Sequence, residues 1–306
     1  MAIAPGRQAK APDAGDLTAS LQAAISAPTY RPPVLPAVAM EIVALSGQQE
    51  VELGEVVKLL EKDPVLAGRV LALAQSARYA ARSPITTLRQ AAVRLGLETL
   101  TNLVLQAGLE LQVFRAPGFE WFAERANRHA TAVAHVTREV CRLTKVPGEH
   151  AFMAGLLHDV GLSACLLLFN ERPEWRGLPF ASLAPVLDAV HADASGLLAH
   201  RWKLPDPLPA ILASHHHPVV DGAPQPVNAA LIVAEQLCWE AGAGIAEPPS
   251  AAAADGAGLP EQPLEGVDIN WTSTVEEAMR VIGLDLEGLA AVRAQAFDTI
   301  GALAET

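Results

Sequence analysis

A run of nineteen residues, almost entirely apolar, carries a histidine and an aspartate side by side in its middle. From Ala151 to Phe169 the sequence reads AFMAGLLHDVGLSACLLLF, in which only His158, Asp159 and Ser163 are polar. A helix that is apolar on all sides is a buried helix. An ionised carboxylate buried there is costly unless a cation or strong hydrogen-bond donors face it. The segment therefore predicts a buried helix whose Asp159 requires a partner.

The rest of the chain is patterned for helices. Apolar residues recur at i, i+3, i+4 and i+7 in several segments, for example at Leu53, Val56, Val57 and Leu60. Asp63 before Pro64 is typical of a helix start, Gly96 interrupts a helical stripe, and Thr274 with Glu277 makes a capping box. Alternating segments typical of strands are absent, so the predicted fold class is all-α.

Composition excludes some partners and predicts a compartment. The chain of 306 residues has 22 Lys and Arg against 34 Asp and Glu, a net charge of −12. This balance argues against general nucleic-acid binding and against anionic membranes. No long uncharged apolar stretch and no apolar signal core in residues 1–16 are found, so we expect neither a membrane span nor export. Isolated Cys141, Cys165 and Cys238 predict reduced thiols in a cytoplasmic protein.

Histidines and acids recur at positions where they can join the His158–Asp159 pair. The further candidate ligands are His129, His191, His215, His216 and Glu235. His129 lies on the apolar face of its helix with Val133, Val136 and Val140, whereas His135 falls about 240° round and is expected to face solvent. His191 precedes a short helical run over residues 195–202. Imidazole and carboxylate ligands together suit Mn, Fe, Zn, Ni or Mg.

Each candidate also has a structural interpretation without a metal. An inward histidine such as His129 is more often a hydrogen-bonded core residue. His215 and His216, followed by His217, are also compatible with a solvated helix end, where imidazolium suits the dipole. Glu235 alone is typical of a surface residue. Only the buried Asp159 requires a partner by itself.

The order of these motifs resembles a known family. His129, the HD pair, His191, His215 and a late acid are similar to the HD superfamily of metal-dependent phosphohydrolases. The segment from Leu35-Pro36 through DPVLAGRVLALAQSARYAARSPITTLRQAAVRLG, and then AFMAGLLHDVG, LLAHRWKLP and ILASHHHP, resemble the HDOD domain, the HD-related output domain of bacterial signalling. The resemblance runs from about residue 30 to residue 240.

The resemblance implies two packed helical lobes, the second HD-like, and a regulatory role in signal transduction without established catalysis. It also implies that the candidate positions match the metal ligands of active HD relatives, with Glu235 in place of the usual aspartate.

The expected division is a disordered arm (1–16), an N-terminal lobe (17–118), a metal-site lobe (119–240), an Ala/Gly/Pro-rich loop (241–273) and C-terminal helices (274–306). These last helices are expected to pack back on the lobes, since Ile282, Leu289 and Ile300 form an apolar stripe.

Two features of the cyclic-dinucleotide phosphodiesterases, the HD-GYP branch of the superfamily, are missing. Leu162 stands where their phosphate-binding lysine is found, and no GYP tripeptide follows His217. Gln75 also replaces the asparagine usual in HDOD proteins. The family resemblance, the missing lysine and an N-terminal lobe without catalytic residues favour a regulatory module, which acts by binding a signalling protein or a small ligand and retains a divalent-metal site. A metal-dependent phosphohydrolase, with Asp159 as its central residue, is the alternative, and a purely structural metal is the third hypothesis.

The stretch between Asp63 and Glu98 contains five arginines and no acid. Because arginine binds carboxylates and phosphates bidentately, this stretch is a candidate contact for an anionic ligand or partner, with Arg78, Arg82 and Arg89 as the residues. The alternative interpretation is that these arginines pair with the acidic half of the chain or are solvated.

Overall fold

The computed structural model describes residues 14–46, 51–79, 84–113, 118–175, 178–245 and 271–304. The long elements in these ranges are all helices, which confirms the all-α class. The described strands form one short hairpin, Val219–Val220 with Ala223–Pro224. The helices are α1 (Ala14–Ser26), α2 (Ala37–Ser46), α3 (Leu53–Leu60), α4 (Pro64–Ala74), α5 (Leu88–Gln112), α6 (Glu120–Thr144), α7 (Ala151–Leu157), α8 (Val160–Glu171), α9 (Phe180–Arg201), α10 (Leu208–Ala213), α11 (Pro226–Glu240), α12 (Trp271–Val281) and α13 (Leu286–Ala304), with a 3-10 turn at Ala77–Tyr79.

Two hydrophobic cores hold the helices together. The smaller core is built from α2 to α5, and the larger one from α6 to α13. Helix α5 contributes to both, because Leu100 and Leu103 lie in the smaller core while Leu105 and Leu109 lie in the larger. Gly96, with φ of +77°, interrupts α5 as the sequence predicted. Helix α2 also reaches both cores, with Ile42 in the smaller and Val43 in the larger, so two helices join the lobes.

Helix α1 packs on the second lobe. Its buried residues Leu17, Leu21 and Ile25 belong to the larger core, and the helix lies against α9. The sequence placed residues 17–118 in one N-terminal lobe, and this assignment is wrong for α1. The helix also begins at Ala14, inside the arm expected over residues 1–16, whose first thirteen residues lie outside the described ranges.

The C-terminal helices pack against the larger core. Ile282 is buried, and Leu289 and Ile300 are partly buried against the same core. The capping box predicted at Thr274 is wrong, because α12 already includes Trp271 and Thr274 lies inside it. Residues 271–273 are therefore helical, and the rest of the expected loop beyond residue 245 lies outside the described residues. Asp285 caps α13 through a hydrogen bond from the Gly288 amide to its side chain.

The apolar segment around the HD pair is the centre of the larger core. By length and composition Ala151–Glu171 is apolar enough to cross a membrane, but 94% of its most apolar window is buried inside the fold. The segment is two helices and not the single helix expected from its sequence. Asp159 has φ of −101° and ψ of 12°, so the chain turns between α7 and α8. Because of this turn, Asp159 does not follow the helical spacing of the residues around it.

Candidate metal centre

Side chains from five parts of the second lobe meet at one place. The structure brings together His129 of α6, His158 and Asp159 between α7 and α8, His191 of α9, His215 and His216 after α10, and Glu235 of α11. All seven were candidates from the sequence. His191 lies in the middle of the 22-residue α9, so the expected short helix over residues 195–202 is wrong.

The ligand atoms form two adjacent groups, with Asp159 facing both. His129, His158, Asp159 and Glu235 make the first group, and His191, His215 and His216 the second; within each, the atoms lie within 4.8 Å of one another. Asp159 Oδ2 is 3.2 Å from His158 Nε2 and 3.9 Å from His129 Nε2. Its Oδ1 is 3.4 Å from His191 Nε2 and 3.7 Å from His215 Nε2. The carboxylate can therefore bridge two cations.

Hydrogen bonds to the backbone orient four of the imidazoles. Three histidines place Nδ1 near carbonyls of their own helix or turn: His158 at 2.8 Å from Gly155 O, His191 at 2.8 Å from Asp188 O, and His215 at 2.7 Å from Leu212 O. His129 Nδ1 instead lies 2.9 Å from the carbonyl of Ala243, beyond the end of α11. Since a carbonyl only accepts, each Nδ1 donates. A neutral ring then has an unprotonated Nε2 facing the centre.

Several buried atoms of the centre lack a partner and face other acceptors. His158 Nε2, His215 Nε2 and Glu235 Oε2 are buried without a hydrogen-bond partner. Glu235 Oε1 lies 3.4 Å from His158 Nε2, and the Nε2 atoms of His191 and His216 are 2.8 Å apart. Lone pairs facing one another at such distances repel unless a proton or a metal ion lies between them. The donor set of imidazoles and carboxylates fits a divalent transition metal.

Burial and mutual charge set the protonation of the metal-free centre. Burial and neighbouring imidazoles lower the pKa of His215 well below its usual value, and that of His216 to about 4. Burial, then His158, lowers the pKa of His129. Burial also acts to lower the pKa of His158, but the carboxylates of Asp159 and Glu235 outweigh it and hold that pKa well above its usual range. Without a metal, one proton therefore resides mainly on His158.

Two glycines let the helices approach closely enough to form the centre. A Cβ atom on Gly161 would lie 2.1 Å from the carbonyl oxygen of His191, and its amide donates to Ser195 Oγ at 2.9 Å. A Cβ on Gly155 would lie 2.6 Å from Ala134 Cα. Helix α8 is thus in backbone contact with α9, and α7 with α6. Any side chain at these glycines would force the ligand-bearing helices apart.

One histidine was misplaced by the sequence. His135 was expected to face solvent, but it is only 2% exposed. The reason is that α6 is covered on more than one side, by α7, by α11 and by α13.

The sequence also missed the Ala243 carbonyl and the Ser195 hydroxyl, which position ligands without binding metal. A backbone carbonyl has no sequence signature, and Ser195 could be found only from its spacing of one helical turn after His191.

The remaining sequence candidates lie in the first lobe. Arg78 is in the 3-10 turn and hydrogen-bonds Thr299 of α13, and Arg89 is exposed in the first turn of α5. Arg82 lies outside the described residues. Arg69 pairs with Glu110 within its own lobe.

The order of motifs and the ligand geometry agree with a comparison against known families. The HDOD domain profile matches residues 33–218, which is more than half of the chain. The chain belongs to the HDOD domain family. Within this HDOD domain, Gln75 replaces the usual asparagine and donates to the Ile85 carbonyl at 2.6 Å. Leu162, at the lysine position of the phosphodiesterase branch, is 8% exposed and adds no charge to the centre.

Three relatives show the extent of the similarity. An uncharacterized protein of Treponema pallidum (strain Nichols) is 27% identical over 198 residues, which are 60% of this HDOD chain and 37% of the relative. The chain thus covers little more than a third of that relative's length. Two crystal structures share the fold. An HDOD domain protein of unknown function from Geobacter sulfurreducens has a TM-score of 0.63 at 19% identity, and a proposed metal-dependent phosphohydrolase from Shewanella amazonensis SB2B has 0.68 at 16%. Both alignments cover 95% of this chain and 98% of the other.

Proposed function

We propose that this protein is a metal-binding signalling module of the HDOD family that holds two divalent ions through Asp159 and acts by binding another component. The observation that carries the proposal is the orientation of the four imidazoles. Each donates Nδ1–H to a carbonyl and turns Nε2 inward, which is how proteins present histidine to a metal. A core of ordinary buried histidines has no reason to turn four Nε2 atoms toward one carboxylate.

The number of ions follows from the grouping of the ligands. The first group offers two imidazoles and Glu235, and the second offers three imidazoles, with one oxygen of Asp159 for each. Three or four protein ligands are usual for one transition-metal ion. Two ions held by one carboxylate would also neutralise the buried charges of Asp159 and Glu235. Imidazole-rich sets of this kind suit Mn, Fe, Zn or Ni better than Mg.

The absence of a charged group at Leu162 and of a GYP motif supports a regulatory role over hydrolysis of a cyclic dinucleotide. We infer that the centre acts as a rigid, metal-dependent core whose occupancy sets the conformation that a signalling partner binds. Neither the partner nor its binding surface is implied by the centre itself.

Metal content tests the proposal directly. Protein loaded with Mn²⁺ or Zn²⁺ and freed of excess ion by dialysis should retain about two ions per chain. Asp159→Asn should retain fewer than half as many, because both groups lose their shared ligand, while Glu235→Gln should mainly empty the first group. Asp193→Asn is the matched control, since Asp193 is exposed on α9 two residues from His191. Wild-type protein that retains no ion, with stability indifferent to added metal, would refute the proposal.

A metal-dependent phosphohydrolase is the second candidate, and the bridging position of Asp159 favours it. Paired divalent ions lower the pKa of water and polarise a phosphoryl oxygen. In this chain Asp159 would hold the two sites at a fixed separation, and Glu235 would complete the first.

The test of this second candidate is hydrolysis of bis(4-nitrophenyl) phosphate by the metal-loaded protein. Turnover that a chelator abolishes and that Asp159→Asn lacks would favour the enzyme. Metal-loaded protein without turnover on this substrate or on cyclic di-GMP would favour the regulatory module.

A further inference from the structure

A second cluster of polar side chains lies where the 3-10 turn of the first lobe, helix α6 and helix α13 meet. It is made of Arg78 and Tyr79 in the 3-10 turn and His135 and Arg138 on α6, and we call it the arginine cluster. The rings of Tyr79 and His135 are 6.2 Å apart between centroids. His135 and Arg138 are three residues apart on one helix, so they share a face. The cluster joins two lobes that are far apart in sequence.

The arginine cluster is positively charged, and no carboxylate pairs with it in the part of the chain that the structure describes. Among the described residues, neither Arg78 nor Arg138 has a carboxylate within salt-bridge distance. Arg78 Nη1 donates to Thr299 Oγ1 at 3.3 Å, and the guanidinium of Arg138 lies over the Phe152 ring at 5.5 Å. Both contacts position the guanidinium groups, but neither neutralises their charge. Paired arginines that lack an acid are unfavourable unless an anion or solvent compensates them.

His135 adds a buried donor to these charges. It is 2% exposed, and its Nδ1 is buried without a hydrogen-bond partner. Burial, then Arg78 and Arg138, holds the pKa of His135 well below its usual value, so the ring is neutral. Burial raises the pKa of Tyr79 although the same two arginines act to lower it.

We propose that the arginine cluster is a binding site for the phosphate group of a small molecule, held by Arg78 and Arg138 with an N–H of neutral His135. Both arginines are partly exposed and His135 is buried, so an anion from solvent can reach the arginines on the outer side of the imidazole. Two positive charges match a phosphate that is close to dianionic at neutral pH, whereas a carboxylate supplies one charge. Binding would tie the first lobe to α6 and α13 independently of the metal centre.

Thermal stability in phosphate tests this site. The wild-type chain would be compared in sodium phosphate, sodium acetate and sodium chloride at equal ionic strength and pH. We expect phosphate to raise Tm by several degrees over chloride, and acetate to have a much smaller effect. Arg138→Gln and Arg78→Gln should each lose most of the phosphate-specific shift. Equal stabilisation by acetate and phosphate would contradict the assignment to phosphate.

A control variant outside the cluster and a variant of the metal centre distinguish this site from other places where phosphate could bind. Arg142→Gln removes a charge one turn further along α6, where Arg142 already pairs with Glu139, and it should keep the phosphate shift. The Asp159→Asn variant should also keep it, because the metal centre is not involved. If the shift disappears in Asp159→Asn, or persists in both cluster variants, phosphate binds elsewhere and the proposal is wrong. If a cluster variant does not fold, isothermal titration of Arg78→Lys and Arg138→Lys with phosphate replaces it, with weaker binding expected in both.

Discussion

His129 donates its Nδ1 hydrogen to the carbonyl oxygen of Ala243, 2.9 Å away and 114 residues further along the chain. The other three imidazoles with this orientation bond to carbonyls three or four residues before them. The orientation of His129 therefore depends on how the chain leaves α11. Gly242, with φ of +74°, provides the left-handed turn that brings Ala243 back over α6, and the Ala243 amide closes it on Cys238 O at 2.8 Å.

Gly242→Ala should weaken metal binding more than it weakens the fold. A non-glycine residue at positive φ costs about 1 kcal/mol and shifts the Ala243 carbonyl, which releases His129. Loss of such an orienting bond lowers metal affinity by about 10-fold. The matched control is Gly222→Ala, with φ of +78° in the β-hairpin. It should cost similar stability in chemical denaturation while Zn²⁺ affinity stays unchanged; equal losses of affinity in both variants would contradict the role of Ala243.

Metal stabilisation should increase with pH. In the metal-free protein the carboxylates of Asp159 and Glu235 raise the pKa of His158. The protonated ring therefore stabilises the folded state fully below the pKa that this histidine has in the unfolded chain, near 6.5. This stabilisation is lost as the pH rises through the higher pKa of the folded state. A metal ion displaces that proton, because imidazole must be deprotonated to ligate. The difference in Tm between loaded and metal-free protein should therefore grow from pH 6 to pH 9. Titration calorimetry in buffers of different ionisation enthalpy should show proton release near neutral pH, and a pH-independent Tm difference would contradict this account.

Gly161→Ala should destabilise the protein strongly. The added methyl would overlap the His191 carbonyl at 2.1 Å, and backbone on both sides leaves little room to relax. Overpacking of this kind costs about 1–3 kcal/mol or more. Gly54→Ala in α3 is the control, since nothing lies within 4 Å of the added atom and alanine favours a helix by up to about 1 kcal/mol. Urea denaturation should order the proteins Gly54→Ala, wild type, Gly161→Ala from most to least stable.

The three cysteines should be unreactive in the folded protein. Burial raises the pKa of Cys141 and of Cys165 to about 12, and burial with Glu235 raises that of Cys238 further. Thiolate is the reactive form, so at pH 8 almost none is present. Iodoacetamide should label no cysteine in native protein and all three in urea, as read by intact mass. Rapid labelling of one cysteine in the native state would show that its helix opens readily.

The sequence predicted which side chains come together better than it predicted the scaffold that orients them. His129 could be assigned inward because Val133, Val136 and Val140 share its stripe, and Asp159 because its neighbours are apolar. His135 could not, since the rings of Tyr79 and of Phe152 in α7 lie against it, and neither contact follows from the periodicity of α6. The break between α7 and α8 was hidden because apolar residues continue through it.

The start of α12 and the placement of α1 failed for a related reason. A capping box at Thr274 is a local preference, and tertiary packing allowed the helix to extend beyond it. Leu17, Leu21 and Ile25 predict an amphipathic helix but do not specify which core receives it. The hydrophobic periodicity of a helix does not show which distant part of the chain that helix packs against.

The contact of Gly161 with the His191 carbonyl also determines how the centre can accommodate ions of different radius. Helices α8 and α9 touch through their backbones, so Asp159 and His191 cannot separate without breaking a packed interface. Glu235 extends from α11 on a longer side chain and has an oxygen without a hydrogen bond. If the centre holds metal as proposed, adjustment between a small ion such as Zn²⁺ and a larger one such as Mn²⁺ would depend on the carboxylate of Glu235, whose extra methylene would give the first group a flexible ligand beside a rigid one.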